Sequence, residues 1–376
     1  MAGSKISFWR DDFHWPFGTP PTCDHLAANG LAPDELHLLA LNESPLAPLA
    51  GVADALAQSA ASLNRYPDNY FWPLVAAVEE RTGIGADRQL WGNGAGELIN
   101  RAVGTATRAG LSIVSPSPTF WGYERVYAIQ CAKVTRTPLT RTGAVDIDAL
   151  IKAIAPDTGI VTFATPGNPG GASLSREEII HVARATPEHV LLLVDEVYQE
   201  FCVHEGGPDA LEILKQHRAA PWLVLRSFSK AFRLAGARVG YGLASDGATA
   251  RRVREHSLNF TVAASSFSAA HAAYCDTAAL KETLEFNAER RAQLAAGLQQ
   301  LGLEVFPSQA NFVSARLPGP AAPAIAALRG QGIMCAGWNH PDFTDCIRIS
   351  MGPAASMSAA VAGLRDYLES FSSSAG

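Results

Sequence analysis

The chain has 376 residues, of which 30 are Lys or Arg and 36 are Asp or Glu, so its formal charge is −6. At about 150 residues per domain, this length corresponds to two or three domains with a large hydrophobic core. The mild acidity argues against non-specific nucleic-acid binding, which usually requires a basic face. No apolar run approaches the ~18 residues of a membrane span, and the six cysteines lack zinc-ligand spacing. We therefore expect a globular cytoplasmic protein with reduced thiols, no metal and no nucleic-acid or membrane partner.

Helix and strand patterns alternate along residues 44–275, after an irregular N-terminal arm at residues 1–43. Helices are predicted at Val52–Leu63, Trp72–Arg81 and Glu97–Arg108. Strands are predicted at Ser112–Val114, Ile160–Phe163, Val190–Val194 and Trp222–Leu225. The last two are nearly continuous apolar runs, which is typical of strands buried on both faces of a parallel sheet. The alternation predicts an α/β fold for this large domain.

Residues 276–376 predict a second, smaller domain, with which part of the N-terminal arm associates. Its elements are a helix at Leu280–Leu301, a strand at Asn311–Ala315, a helix at Ala322–Gly330, a strand at Cys346–Ser350 and a helix at Met357–Phe371. We expect the last five residues, SSSAG, to be disordered.

The segment SFSKAFRLAGARVGYG, Ser227–Gly242, carries the strongest chemical signal. It directly follows the predicted strand WLVLR, and ligands of open α/β sheets bind beyond the carboxyl ends of the strands. Lys230 could form a Schiff base with a carbonyl cofactor there. Ser227, Ser229 and Arg238 could hold a phosphate, because arginine gives a permanently charged bidentate clamp. The alternative is a surface lysine beside an ordinary turn.

Three weaker motifs lie at predicted strand ends or before a helix. In LLLVDEVYQEF, Asp195 ends a strand and could pair with a protonated ring nitrogen, a metal ion or a helix N-terminus. In ATPGNPGG, Asn168 lies in a tight turn and could bond a ring hydroxyl. In WGNGAGELI, glycines lead into a helix whose N–H groups and dipole favour a phosphate. Each motif alone is also compatible with an ordinary turn or loop.

Together and in this order, the four motifs resemble those of the fold-type I pyridoxal 5′-phosphate (PLP) aminotransferases of class I and II. The sequence is most similar to the histidinol-phosphate aminotransferase family, in which LNRYPD (Leu63–Asp68) is typical. The similarity extends from LALNESPLAP (Leu39–Pro48) to CIRISMG (Cys346–Gly352). It implies a large domain with a mostly parallel central sheet between helices, and a smaller α+β domain. It also implies ping-pong transfer of an amino group between an amino acid, or a histidinol phosphate-like amine, and a 2-oxo acid.

The resemblance implies a role for each matching residue around the cofactor. Lys230 would be the Schiff-base lysine and the general acid/base, and Asp195 would pair with the ring nitrogen. Asn168 and Tyr198 would bond the ring hydroxyl, and Phe120 would stack on the ring. The residues implied to bind the phosphate are Ala95, Gly96, Glu97, Ser227, Ser229 and Arg238.

The resemblance also implies how the substrate and a second subunit are bound. Arg348 would clamp the substrate α-carboxylate through two hydrogen bonds, with Asn168 and Trp121 beside it. Tyr66 would reach the phosphate in the active site of a neighbouring subunit, which implies a homodimer with shared sites.

Several positions depart from the family pattern. Gly96 replaces an aspartate, and Gly167 and Gly170 replace an asparagine and a threonine. We expect the cofactor still to bind, because backbone groups and Arg238 also hold its phosphate. In GIMCA, Ala336 replaces an arginine that helps to hold the substrate phosphate in histidinol-phosphate enzymes. The loss of that arginine would leave the phosphate charge unpaired, which is strongly unfavourable.

We therefore expect a less charged amino acid as the main substrate. The aromatic residues that could line its site, or else pack in the core, are Trp121, Trp338, Phe13, His14 and Trp15. Arg233 or Arg125 could instead replace the missing arginine and retain histidinol phosphate as a substrate.

Three other functions are compatible with parts of this pattern. The same lysine and cofactor could catalyse decarboxylation, elimination, replacement or cyclisation, because substrate orientation decides which bond breaks. A non-catalytic PLP-binding protein is disfavoured by the intact Lys230, Asp195, Arg238 and Arg348. A nicotinamide-dependent dehydrogenase is disfavoured because no G-x-G-x-x-G follows an early strand.

Overall fold

The computed structural model describes residues 30, 36–67, 71–219 and 221–374. The strands in these ranges are β1 (His37–Leu38), β2 (Gln89–Asn93), β3 (Ser112–Pro116), β4 (Val134–Thr137), β5 (Thr158–Ala164), β6 (Leu191–Asp195), β7 (Trp222–Ser227), β8 (Val239–Ala244), β9 (Glu304–Val305), β10 (Phe312–Arg316), β11 (Ile333–Met334), β12 (Ala336–Gly337) and β13 (Cys346–Ser350).

The helices of the same ranges are α1 (Ala50–Ser59), α2 (Trp72–Thr82), α3 (Ala95–Arg108), α4 (Trp121–Ile129), α5 (Ile147–Lys152), α6 (Arg176–Ala185), α7 (Gln199–His204), α8 (Ala210–His217), α9 (Gly247–Arg254), α10 (Ala264–Cys275), α11 (Thr277–Gln300), α12 (Ala321–Gly330) and α13 (Ala354–Ser374). Short 3₁₀ turns follow α1, precede β2 and β8, and precede β13. Of the helices described, none has the length and apolar character needed to cross a membrane.

The central sheet of the described residues has seven strands in the order β2-β8-β7-β6-β5-β3-β4. Strand β8 is antiparallel to its neighbours β2 and β7, and the other pairs are parallel. The register pairs Ala164 with Asp195 and Asp195 with Leu225. The carboxyl ends of β5, β6 and β7 therefore meet at one edge. The mostly parallel sheet confirms the predicted α/β class.

Helices cover both faces of this sheet, which explains the continuous apolar runs in the sequence. Side chains alternate between the two faces of a strand. In β6, Leu192 and Val194 join one hydrophobic cluster, which includes Leu74 of α2 and Ile179 of α6. Leu193 joins a different cluster, which includes residues of α3, α4 and α9. Because both faces are buried, apolar side chains predominate on both.

A second region is built on an antiparallel sheet of order β12-β13-β10-β9, again within the described residues. Leu294 and Leu298 of α11, Leu328 of α12 and Leu364 of α13 form its hydrophobic core with β10 and β13. Strand β1 pairs in parallel with β11. The start of the described chain is thereby tied to a region more than 290 residues later in the sequence.

Most element ends differ from the sequence-based predictions by one to four residues, and two of these differences change the interpretation. Helix α1 ends at Ser59, and a 3₁₀ turn completes the segment predicted as a helix to Leu63. Helix α13 continues to Ser374, so residues 372–374 of the tail expected to be disordered are helical.

Strand β8 was not predicted, because its glycines weaken the strand pattern. The structure gives the reason for one of them. A Cβ on Gly240 would overlap the backbone of Ala95, where β8 lies against the start of α3.

Candidate active site

A cavity of about 300 Å³ lies where the carboxyl ends of β5, β6 and β7 face the antiparallel sheet. It is also lined by the first residues of α3 and by residues 41–43. Twelve of the residues singled out in the sequence line it: Ala95, Gly96, Phe120, Trp121, Asn168, Asp195, Tyr198, Ser227, Ser229, Lys230, Arg238 and Arg348.

One end of the cavity is suited to an anion. Helix α3 begins after Gly94, which has φ +76° and provides no side-chain cap for the first helical N–H groups. Such N–H groups and the helix dipole attract phosphate. The guanidinium of Arg238 lies across Gly94, where a Cβ would be 2.5 Å from Nη2. Arg238 donates to the Ala235 carbonyl at 3.0 Å and is exposed to the cavity.

Asp195 presents a buried carboxylate to the cavity at the end of β6. Its Oδ1 accepts from the Val197 N–H at 3.2 Å, and its Oδ2 accepts from the Tyr123 hydroxyl at 3.3 Å. Burial raises the pKa of Asp195 to about 6, although both hydrogen bonds and the Lys230 charge oppose the rise. With a pKa of about 6 the carboxylate is still mostly ionised at neutral pH, so it can pair with a cationic ring nitrogen.

Lys230 provides the amine of the cavity. Its Nζ donates to the carbonyl of Asn42 at 2.9 Å and to that of Leu41 at 3.3 Å. Burial, and then the positive charge of Arg348, lower the pKa of Lys230 to about 8, while Glu43 opposes the shift. A lysine of this kind is unprotonated in a useful fraction near neutral pH, which favours attack on a carbonyl and proton transfer.

Tyr198 and Asn42 form a buried hydrogen-bonded pair beside this amine. Asn42 Nδ2 donates to the Tyr198 hydroxyl at 3.0 Å, and Asn42 Oδ1 accepts from Ser350 at 2.8 Å. Burial raises the pKa of Tyr198 to about 12. The tyrosine therefore stays protonated and can donate to an oxygen in the cavity.

Arg348, on β13, provides the cation at the opposite side of the cavity. Its Nη1 donates to Asn168 Oδ1 and its Nη2 donates to the Ala40 carbonyl, both at 2.6 Å. Its Nε is buried and without a hydrogen-bond partner among the described residues. A buried guanidinium nitrogen in this state is suited to receive a carboxylate from a ligand.

Phe120 places an aromatic ring in the cavity immediately before α4. A Cβ on Gly122 would overlap this ring, so the glycine leaves room for it. Trp121 also lines the cavity and contacts Phe120 edge to face, with ring centroids 5.5 Å apart.

Some predicted site residues lie elsewhere. The Glu97 side chain turns back to bind Arg101 and the Asn93 N–H, and its own N–H donates to Gly94. Tyr66 is 82% exposed and stacks on Phe260 instead of lining this chain's cavity.

Three of the alternative substrate residues, Trp338, Arg233 and Arg125, are also not in the cavity lining. Trp338 packs between Phe306 and Phe343, as the core alternative predicted. Arg233 is held by Thr283, Ala279 and Glu282. Arg125 is exposed on α4. Phe13, His14 and Trp15 lie outside the described residues.

Sequence reasoning missed Asn42 and Tyr123. Asn42 lies in the LALNES motif, to which we gave no role, and Tyr123 follows the predicted ring-stacking residue by three positions. Their partners are 156 and 72 residues away in sequence. No local pattern could have paired them.

Taken together, the groups that line the cavity fit one kind of ligand. It offers an amine for covalent attachment, a carboxylate for a ring nitrogen and a hydroxyl for a ring oxygen. It adds an aromatic face and an anion site at a helix N-terminus. A phosphorylated aromatic aldehyde would satisfy all five groups.

Comparison with known proteins supports this interpretation. A sequence profile of the family "Aminotransferase class I and II" matches residues 34–364. The chain is 32% identical to histidinol-phosphate aminotransferase 3 of Rhizobium meliloti (strain 1021), over 85% of this chain and 86% of that protein. It is also 32% identical to the histidinol-phosphate aminotransferase of Bacillus velezensis, over 84% and 86% of the two chains.

A solved structure agrees with these sequence comparisons. Histidinol-phosphate aminotransferase from Sinorhizobium meliloti in complex with pyridoxal 5′-phosphate superposes with a TM-score of 0.83 at 26% identity, covering 98% of this chain and 99% of that one. The fold and the cavity residues together fit PLP, and the predicted cofactor is confirmed. The relatives favour transamination over the other PLP reactions. The chain belongs to the class I and II aminotransferase family and is a PLP-dependent enzyme that transfers an amino group between an amino compound and a 2-oxo acid.

Proposed function

We propose that this aminotransferase acts mainly on an amino acid with an uncharged side chain, not on histidinol phosphate. The observation that carries the proposal is the cross-strand pairing of Ala336 with Arg348 in β12 and β13. Directly opposed residues of an antiparallel pair lie on the same face, with Cβ atoms about 5 Å apart. An arginine at 336 would therefore lie beside Arg348, and here a methyl group takes its place.

The remaining cations support this choice of substrate. The cationic side chains that line the cavity, within the described part of the chain, are Lys230, Arg238 and Arg348. Lys230 serves the cofactor aldehyde and Arg238 its phosphate, so Arg348 is left for the substrate. One guanidinium matches one α-carboxylate, whereas a second, dianionic phosphate would be poorly neutralised.

Different residues of the cavity have different roles in the proposed reaction. Bound PLP supplies an electron sink for the negative charge that develops on the substrate carbon. Lys230 would make the covalent attachment to the cofactor aldehyde and would move a proton at that carbon as general acid/base. Asp195 would hold the proton on the ring nitrogen, and Tyr198 and Asn168 would donate to the ring hydroxyl. Arg348 orients the substrate through its carboxylate.

The test compares amino donors in single-turnover reactions. PLP-loaded enzyme is mixed with L-leucine, L-phenylalanine or histidinol phosphate, and formation of pyridoxamine phosphate is followed. We expect the amino acids to react with the higher kcat/KM. Ala336→Arg should raise kcat/KM for histidinol phosphate about tenfold or more, because a charge-assisted hydrogen bond contributes about 1.5–3 kcal/mol.

Gln331→Arg is the matched control, because it adds the same charge at an exposed turn after α12. It should leave the substrate ranking unchanged. If wild-type enzyme prefers histidinol phosphate, the substrate proposal is wrong although the family assignment remains. If Lys230→Ala retains turnover, the assignment of the lysine is wrong.

We further propose a homodimer in which Tyr66 reaches the PLP phosphate of the neighbouring subunit. Tyr66 and Phe260 stack with ring centroids 4.9 Å apart, and the two side chains are 82% and 43% exposed. Leu258, two residues earlier, is 79% exposed. Exposed aromatic and aliphatic side chains grouped in this way mark an interaction surface.

Subunit complementation tests the homodimer. Tyr66→Ala and Lys230→Ala chains are co-expressed with different tags, and the mixed dimer is isolated. If Tyr66 acts across the interface, the mixed dimer has one intact site and regains activity that neither parent has. A monomer in sedimentation analysis, or no recovered activity, would reject the proposal.

The proposed domain division follows the two sheets, with residues 44–275 forming the large domain and 276–376, with part of the arm at 1–43, the small one. Their main hydrophobic clusters are distinct in the described residues, and a smaller cluster that includes Tyr198 and Phe312 spans both. We also propose a cytoplasmic location, since the five described cysteines are free thiols.

A further inference from the structure

Two aromatic residues at the start of helix α4, Phe120 and Tyr123, contact different parts of the candidate cofactor site. Phe120 precedes the first residue of the helix and places a ring in the cavity. Tyr123 lies three residues later, and its N–H donates to the Phe120 carbonyl at 2.9 Å. The Tyr123 side chain is buried, with 1% of its surface exposed, and is not part of the cavity lining.

The Tyr123 hydroxyl is one of two hydrogen-bond donors to the Asp195 carboxylate within the described structure. It contacts Oδ2 at 3.3 Å, and the Val197 N–H contacts Oδ1 at 3.2 Å. The charged form of a buried carboxylate depends on such donors. Lys230 and Tyr198 are the other titratable groups near Asp195, and neither hydrogen-bonds to it.

Tyr123 remains a donor throughout the working pH range. Burial, and then the charge of Asp195, raise its pKa well above the ordinary value for tyrosine. A hydroxyl that keeps its proton stabilises the ionised carboxylate by donation more than it stabilises the neutral acid, and its fixed position restrains the orientation of the carboxylate.

We propose that Tyr123 is a positioning residue for catalysis: its hydroxyl keeps Asp195 ionised and oriented toward the cofactor ring nitrogen. This inference rests on the proposed role of Asp195. Without the donor, the proton shared by Asp195 and the ring nitrogen shifts toward Asp195. The ring then withdraws electrons less strongly from the substrate carbon.

A structural role alone is the competing explanation, and the chain offers a matched control. Tyr127 lies one turn later on α4, is 3% exposed and contacts the Tyr123 ring with centroids 6.0 Å apart. Its hydroxyl makes no hydrogen bond to Asp195. Tyr123→Phe and Tyr127→Phe therefore remove the same atom from the same buried helix face.

The experiment uses the holoenzyme loaded with PLP that carries ¹⁵N in the ring. The ¹⁵N chemical shift reports whether the ring nitrogen holds its proton. We expect Tyr123→Phe to move the signal toward the unprotonated value, and Tyr127→Phe to match the wild type. We also expect kcat to fall about tenfold in Tyr123→Phe with KM unchanged, the pattern of an interaction needed in the transition state.

Asp195→Asn separates the two possible failures. If this variant shifts the ¹⁵N signal and Tyr123→Phe does not, Asp195 holds the ring proton and our inference about Tyr123 is wrong. If Asp195→Asn leaves the signal unchanged, the role of Asp195 and the inference both fail. Equal shifts in Tyr123→Phe and Tyr127→Phe would indicate general loosening of α4 and would also overturn the inference.

Discussion

Arg348 Nη1 donates to Asn168 Oδ1 at 2.6 Å, and this hydrogen bond connects β13 of the antiparallel sheet to the turn after β5. A second bond from Nη2 to the Ala40 carbonyl fixes the same guanidinium. The side chain is therefore oriented before any substrate arrives. Preorganisation of this kind lowers the entropic cost of binding.

Arg348→Gln should weaken substrate binding. Loss of a charge-assisted, bidentate contact costs about 1.5–3 kcal/mol, or roughly tenfold to a hundredfold in KM. Steady-state kinetics with an amino acid and a 2-oxo acid measure this effect. Arg316→Gln is the control, because Arg316 pairs with Asp345 and Glu304 away from the cavity lining. An unchanged KM in Arg348→Gln would show that the carboxylate binds elsewhere.

Gly170→Ala should destabilise the turn that carries Asn168. A Cβ on Gly170 would overlap the backbone carbonyl of Gly143. Backbone atoms cannot move aside as the end of a flexible side chain can. We expect a loss of about 2 kcal/mol or more in stability, together with weaker PLP binding. Gly167→Ala is the matched control, since its Cβ would be 3.6 Å from the nearest atom. Equal stability of the two variants, measured by thermal unfolding, would contradict this account.

Asn42 supports the site from a left-handed backbone conformation, with φ 54°. Asn42→Gly and Asn42→Ala both remove the side-chain hydrogen bonds to Tyr198 and Ser350, so both should lower kcat. They differ in backbone strain, because alanine is disfavoured at this φ. We expect Asn42→Ala to be the less stable by about 1 kcal/mol. Urea unfolding of the two variants measures the difference, and equal stability would show that the backbone relaxes.

Glu200 should make the stability of the protein depend on pH. The residue is half-buried, but its Oε2 is fully buried and has no hydrogen-bond partner among the described residues. Burial raises its pKa in the folded state to about 7, above the 4.5 of an ordinary glutamate. The folded state therefore holds this proton more tightly, and the stability it contributes is lost as pH rises from about 4.5 to 7.

Glu200→Gln removes this titration. The melting temperature of the variant, relative to wild type, should therefore be higher at pH 8 than at pH 5. Glu285→Gln provides the control, because that carboxylate is 58% exposed beside Lys281. The same relative melting temperature at both pH values would show that Glu200 is solvated in the folded protein.

The fold and part of the candidate site could be predicted from local patterns, whereas Phe120, Tyr198 and Arg348 were expected only from the family resemblance. Asp195 ends an apolar strand, and Lys230 follows one. Such positions converge wherever parallel strands end together. Tyr123 could not be assigned, because its partner is 72 residues away and its own surroundings match ordinary helix packing. The tight turn at Gly170 was predicted, but its close approach to Gly143 was not, since Gly143 belongs to a different turn of the chain.

The segment before the first long helix binds Arg348 and Lys230 through the carbonyls of Ala40 and Leu41. Every amino acid carries the same carbonyl, so a change of codon at either position leaves these bonds in place. Leu41 is also 44% exposed and lines the cavity, so its side chain is constrained by the ligand more than by packing. These two hydrogen bonds therefore depend on the path of the main chain and not on which side chains residues 40 and 41 carry. Their contribution would be visible only when the main chain itself is shortened or rerouted.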